Sequence, residues 1–283
     1  MYPLPIPVGA KSQRFTYMLG TALIVTIWLA PLAAIIMTSL RPHEDISLGN
    51  LWGWPSQFVM FENYAAVFAR SKMLRYFLNS AIITIPSVVI VCGLSLCAGY
   101  VLSRFRFPGN TALFAVFVAG NFLPAQILMI PVRDLMLQLG VYDTYLALII
   151  FHVAFQTGFA TLFMRNFIAA LPDELFDAAG SEGASTQQIL WHIVLPLVRP
   201  GLAALSILLF TFIWNDYFWA LVLTVDDSVK PVTAGLASLK GEFAAEWNLI
   251  SAGTIVVALP PVIMFLLMQR HFIVGLTQGA VKG

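Results

Sequence analysis

Few side chains in this sequence could do chemistry, and those few sit among apolar neighbours. Asn121, Gln126, Asn215 and Asp216 are amides and a carboxylate inside long apolar runs, and Trp219 follows Asn215 at a spacing of four. Polar groups inside such runs are costly and face a cavity or a neighbouring helix. On one helical face, an amide beside an indole offers hydrogen bonds to hydroxyls and a flat apolar surface to a ring, which is what a sugar needs. The competing reading is interhelical hydrogen bonding by Asn121, Gln126, Asn215 and Asp216, with Trp219 packed on lipid or a neighbour. For Asp216 it includes an ion pair with a partner subunit. His152 and Gln156 form a further polar pair at i, i+4.

A second group of residues suits docking rather than catalysis. The stretch 166–200 is the longest polar interruption in the second half of the chain. Pro172, Asp173 and Glu174 read as a helix start, with acids against the positive end of the dipole. Ala178 and Ala179 give that helix a smooth surface, and Gly183 permits a turn or a close backbone approach. The residues from Thr186 to Leu195 form a second, partly apolar helix before Pro196. The plain alternative is a solvated hairpin between two helices.

The chemistry that is missing narrows the function further. No G-x-x-x-x-G-K-[ST] occurs; Gly9, Ala10, Lys11 and Ser12 lack both the Gly-Lys pair and the preceding loop. The four histidines, His43, His152, His192 and His271, are scattered, and no nucleophile elbow or metal-ligand spacing is present. No catalytic residue and no metal site is expected. Cys92 and Cys97 lie five apart in one apolar run, about 140° apart around a helix, which argues against a disulfide. The net charge of +1 gives no reason to invoke nucleic acid.

The elements that must carry these residues follow from composition. The chain has 283 residues, 59% hydrophobic and 10% charged, with a mean hydropathy of +0.85; soluble domains carry about 25% charge. Runs of about 20 apolar residues are needed to cross a bilayer. Six are found, at about 15–38, 77–103, 112–136, 142–164, 201–223 and 250–269. Pro86, Pro124, Pro131, Pro260 and Pro261 interrupt three of them, which a packed bundle tolerates. The first run is too long for a signal peptide and lacks a cleavage site, so it is read as a retained helix.

Six spans put both termini on one side, with Lys11, Arg14, Arg104, Arg106, Arg165, Arg199, Arg270 and Lys282. Arg41, Arg70, Lys72, Arg75, Arg133, Lys230 and Lys240 share the other. Eight against seven leans only slightly to a cytoplasmic N-terminus, so the loops must decide. The segment from Arg41 to Tyr76 is too short and turn-rich for a domain and is expected to cap the outer face. Counted from the cytoplasmic span starts, Asn121 lies roughly 14 Å deep, and Gln126, Asn215 and Asp216 roughly 21 to 23 Å. Every Arg and Lys lies at a span end or in a loop, which favours a neutral sugar or polyol as cargo.

The loop at 166–200 resembles the EAA loop of importer-type ABC transporter permeases: Glu-Ala-Ala, two residues, Asp-Gly-Ala, then Leu-Pro about ten residues on. Asp177, Ala178 and Ala179 match the first triplet, Glu182, Gly183 and Ala184 the second, and Leu195 and Pro196 the closing pair. The two acids are exchanged, which keeps the charge, and Gly180 is a departure costing roughly 1 kcal/mol against Ala in a helix. Nearly the whole chain resembles the permease family for oligosaccharides and related sugars that contains the smaller maltose-transporter permease. The supporting phrases are Ser39-Leu40-Arg41-Pro42, Asn79-Ser80, RFRFPG at 104–109, Met129-Ile130-Pro131, WNDYFWAL at 214–221 and GLTQGAVKG at 275–283.

The resemblance implies an all-α membrane protein with the six-helix type I importer fold and a cytoplasmic EAA loop. Residues 1–14 form an N-terminal segment, 15–273 the membrane domain and 274–283 a tail. The loop is expected to seat in a groove of an ATPase subunit, with Gly279, Ala280, Val281, Lys282 and Gly283 reaching toward the ATPase pair. The implied partners are a second homologous permease, two copies of an ATPase that binds ATP and Mg, a periplasmic or lipid-anchored solute-binding protein, a sugar and membrane lipids. The location is the bacterial inner membrane, with both termini cytoplasmic. A self-sufficient secondary transporter or channel would show inverted repeats with paired broken helices, and no clear repeat is seen. The docking-shaped loop and the polar span residues disfavour a non-transporting scaffold.

Overall fold

Long apolar runs in lipid must satisfy their backbone internally, and they do so here as helices. The computed structural model describes residues 11–50, 53–242 and 246–278, and the side chains of all but 240–242 and 270–278 among them. The chain divides into two compact units, one of 1–71 with 239–256 and one of 72–238 with 257–283.

In the first unit, α1 (Lys11–Leu40) is 30 residues long and contains Pro31. Every side chain from Lys11 to Ala33 is exposed, including Phe15, Trp28 and Leu29, as expected of a surface whose solvent is hydrocarbon. Beyond it the chain folds into α2 (His43–Ser47) and α3 (Met60–Arg70). Arg41 is 1% exposed, and its guanidinium caps carbonyls rather than meeting an acid: Nη2 donates to Gly53 O at 3.1 Å, and Nη1 to Asn50 O. Asn63 donates to Ser39 O at 2.9 Å and Arg41 O at 3.0 Å, and accepts from Asn248 at 2.8 Å. These contacts explain the Ser39-Leu40-Arg41-Pro42 phrase as the anchor of the segment that follows the first span.

The second unit is built on α4 (Met73–Arg104) and α7 (Tyr145–Ala169). Ile83, Val91, Leu96 and Tyr100 of α4 are buried in one cluster with Leu148, Phe151, Met164 and Ile168 of α7. Gly99 makes their close approach possible, since a Cβ there would lie 2.8 Å from the Arg165 backbone nitrogen. Between them lie α5 (Asn110–Gly120), a 3-10 turn at Ala125–Leu128 and α6 (Met129–Gln138). The run read as a single span at 112–136 is thus a pair bent by 93°. Pro124, which lacks an N–H to continue the ladder, stands at the break.

After α7 come α8 (Asp173–Ser181), α9 (Thr186–Ile189), a π turn at Leu190–Val194 and α10 (Leu195–Trp214). The residues 186–195 are therefore not a helix closed by Pro196. They run on into the span, because Pro196 occupies the first turn of α10 directly after the π turn, where its missing donor costs little. The apolar run that the sequence carries to 223 stops at Trp214 and resumes as α11 (Phe218–Leu223). It is followed by α12 (Val232–Glu242) and α13 (Trp247–Gln278), which passes through Pro260 and Pro261.

A polar clasp ties the ends of α4 and α7 to the loop after α11. Asn79 donates to Ser228 O at 2.9 Å and Lys230 O at 2.8 Å, Tyr145 donates to Asn79 at 2.7 Å, and Ser80 Oγ accepts from Val232 N at 2.8 Å. Lys72 and Lys230 each meet Asp227 at 2.8 Å, and these two ammonium groups hold its carboxyl down at about 2.

Candidate functional site

The 166–200 loop starts its helix where the sequence places it. Pro172 is the N-cap of α8, and Asp173 and Glu174 occupy its first turn. The helix ends in a Schellman closure: Ala184 N donates to Ala179 O and Gly183 N to Gly180 O, both at 3.0 Å. Gly183 takes φ +79°, a left-handed conformation that side chains disfavour, and a Cβ there would meet nothing within 4 Å. Its requirement is thus one of backbone conformation, and among the described residues none would crowd a side chain there. Ser185 then caps α9 in a reciprocal capping box with Gln188.

Asp177, Ala178, Glu182 and Gly183 are exposed, whereas Ala179 is buried at 7%. Ala179, Glu182, Gly183 and Ala184 line a concave pocket of about 430 Å³ together with Gln188, His192 and Ile193. The last three escaped the sequence reading, although their spacing from Gln188 to His192 is that of one helical face. Leu195 is half-buried and Pro196 exposed at the start of α10. The tail residues Gly279, Ala280, Val281, Lys282 and Gly283 lie outside the described residues.

The polar positions within the spans divide differently from the sequence expectation. Asn215 and Trp219 do not share a helical face, because the helix is interrupted between them. Asn215 ends α10, is exposed, and donates back to Thr211 O at 2.9 Å. Asp216 restarts the chain as α11 by accepting from Trp219 N at 3.3 Å and Ala220 N at 3.2 Å. Trp219 is 4% exposed and stacks on Phe151 with ring centroids 3.8 Å apart. Asp216 also lies 3.7 Å from His152 Nε2 of α7.

Asn121 stands at the bend after α5 and donates to Phe117 O at 2.7 Å. It lines a cavity of about 320 Å³ whose walls include Phe117, Phe151, Phe155 and Gly158. Gln126 is exposed on the 3-10 turn. The four polar residues are therefore brought to two chain breaks, one at 121–128 and one at 215–217. Such interruptions in a membrane protein are tolerated where the backbone is covered by protein or lines a cavity. Among the described residues no group of three or more His, Cys, Asp or Glu is arranged to hold a metal ion.

Comparison with known proteins agrees with this architecture. The family described as binding-protein-dependent transport system inner membrane component matches residues 64–276. An osmoprotective compounds uptake permease protein of Synechocystis is 33% identical over 95% of this chain and 93% of its own length. An arabinooligosaccharides transport system permease protein of Halalkalibacterium halodurans is 34% identical, covering 94% of this chain and 95% of that one. A trehalose transport system permease protein of Mycobacterium tuberculosis is 32% identical, covering 98% and 100%. Among solved structures, a chain of a bacterial ABC transporter that imports the acidic polysaccharide alginate superposes with a TM-score of 0.79 at 23% identity. It covers 94% of this chain and all of its own.

Proposed function

The chain belongs to the family of inner membrane components of binding-protein-dependent transport systems, and from that premise we propose that it forms half of the transmembrane path of an ATP-driven importer of sugars or sugar derivatives. It is a multi-pass inner-membrane protein and a permease subunit, and the relatives that move arabinooligosaccharides and trehalose favour a carbohydrate cargo. Its cations stand at span ends or in loops, which favours a neutral oligosaccharide, glycoside or polyol.

The observation that carries the reading is the α8 loop. A short helix with an exposed acidic face, closed by a left-handed glycine and continuous through α9 with a membrane span, is built to receive force from outside the bilayer. In this reading Asp177, Ala178, Ala179, Glu182, Gly183 and Ala184 contact an ATPase subunit, and Leu195 and Pro196 join that contact to the span. The loop and both termini are then cytoplasmic, and Gly279 to Gly283 face the ATPase pair. ATP and Mg are bound by two ATPase copies, a second permease completes the path, and a solute-binding protein delivers cargo. Asn121, Gln126, Asn215 and Asp216 mark the path, with Trp219 supporting it from within.

The test is uptake of labelled trehalose and oligosaccharides by cells expressing this chain with and without the ATPase and second permease of its system. Uptake should require all of them. Uptake by this chain alone would favour a secondary transporter or channel and refute the proposal.

A further inference from the structure

Arg104 closes α4 at a position where an arginine at the end of a membrane span ordinarily reaches outward for water or headgroups. It turns inward instead, and its side chain is only 13% exposed. Nη2 donates to Ile168 O at 2.8 Å and to Leu171 O at 2.7 Å, one carbonyl in the last turn of α7 and one just beyond it. Nη1 pairs with the carboxylate of Asp173, the first residue of α8. Its Cζ lies 3.8 Å from the centre of the Phe176 ring, and Tyr100, one turn earlier on α4, stacks on that ring at 6.4 Å. Phe176 directly precedes Asp177.

The two helices that Arg104 joins are already clamped together at this end. Gly99 brings α4 against the backbone of Arg165, and Arg165 Nε donates to Leu102 O at 3.4 Å. Among the described residues, the ion pair from Arg104 is the one ion pair between α8 and the spans, and it acts beside the contacts of Arg104 and Tyr100 with Phe176.

We propose that Arg104 is the joint that passes movement of the α8 loop to the α4–α7 pair, a positioning residue for coupling rather than a contact for the ATPase. The proposal rests on the reading of α8 as the ATPase-coupling segment. A planar fork is needed to hold two carbonyls, a carboxylate and an aromatic face together, and a lysine supplies only a point charge. Because Arg104 faces inward, its replacement leaves Asp177, Glu182 and Gly183 on the surface.

The test uses the complete complex of this chain with its second permease and ATPase, carrying Cys92→Ser, Cys97→Ser and Leu78→Cys. Leu78 is 55% exposed near the start of α4, at the end remote from Arg104. Its labelling rate by a membrane-impermeant maleimide is compared between nucleotide-free and ATP–vanadate-trapped complexes. In the parent the two rates should differ about fivefold or more, the lower end of ordinary coupling between sites. In Arg104→Lys and in Phe176→Ala the ATPase should still co-purify while that difference falls toward unity. A difference retained in both variants overturns the proposal, as does loss of the ATPase in step with the response, which would make Arg104 part of the docking surface. A parent that holds its ATPase but shows no nucleotide response overturns the proposal alone. A parent that fails to hold an ATPase overturns the coupling reading of the loop first.

Discussion

Replacing Gly183 separates two reasons for a glycine in the loop that we propose docks an ATPase. Its φ of +79° lies in the left-handed region, and a Cβ would meet nothing within 4 Å. The cost of a side chain is therefore conformational and amounts to about 1–2 kcal/mol for an ordinary residue, less for asparagine. If the ATPase binds the closed Schellman turn, Gly183→Val should weaken ATPase binding by a factor of about 5 to 30, the equivalent of that penalty. Gly183→Asn should stay close to the parent. The assay is titration of the purified ATPase against the permease pair in nanodiscs, with circular dichroism and membrane insertion as controls. Equal weakening by Asn and Val would refute the conformational argument and assign the effect to the bulk a partner meets at this position. No effect from Val would refute the docking surface itself.

Gly180 is exposed on α8 with open space around it, so Gly180→Ala should raise local helix stability by roughly 1 kcal/mol, read as slower hydrogen exchange across 173–182. Gly99→Leu should be destabilising by about 1–3 kcal/mol through forced separation of α4 and α7, read as a lowered thermal midpoint in detergent. Asp227 has a carboxyl depressed from 3.8 to about 2 by Lys230 and Lys72. Its contribution is complete above about pH 4 and is lost as pH falls toward 2. Exchange protection of 224–231 should fall over that window in the parent and start lower, with less acid dependence, in Asp227→Asn. Asn215→Ala removes a side chain whose amide, among the described residues, bonds only its own helix, so it should lower uptake without lowering the thermal midpoint if Asn215 faces the path.

Hydropathy made the spans legible because lipid forces long apolar stretches into helices whatever their neighbours are. The breaks were not legible on that basis. Asn121 to Pro124 and Asn215 to Tyr217 look like polar insertions in continuous helices, and only the cap that Asp216 gives to α11 shows that the second is a restart. That restart undoes the expected pairing of Asn215 with Trp219, since a spacing of four aligns residues only along an unbroken helix. The loop from Pro172 to Ala184 could be read because its proline, acids and glycine act locally. Arg104 could be counted as a charge, but its carboxylate partner lies 69 residues away, and sequence spacing carries no trace of such a contact. Arg41 is similar: its buried partners are carbonyls, which every residue offers alike.

The π turn at Leu190–Val194 sets the rotational phase between the loop and the membrane. Thr186–Trp214 is one rod of 29 residues, and a single extra residue in one turn advances everything beyond it by about 100°. The face that Gln188 and His192 present to the concavity beside α8 is thus indexed to the faces of Leu205 and Leu209 by that one surplus residue. A deletion inside 190–194 would remove no residue of either matched triplet, yet it would turn the loop relative to the bundle like a key cut for another lock. The number of residues in this stretch therefore matters to the geometry as much as their identity.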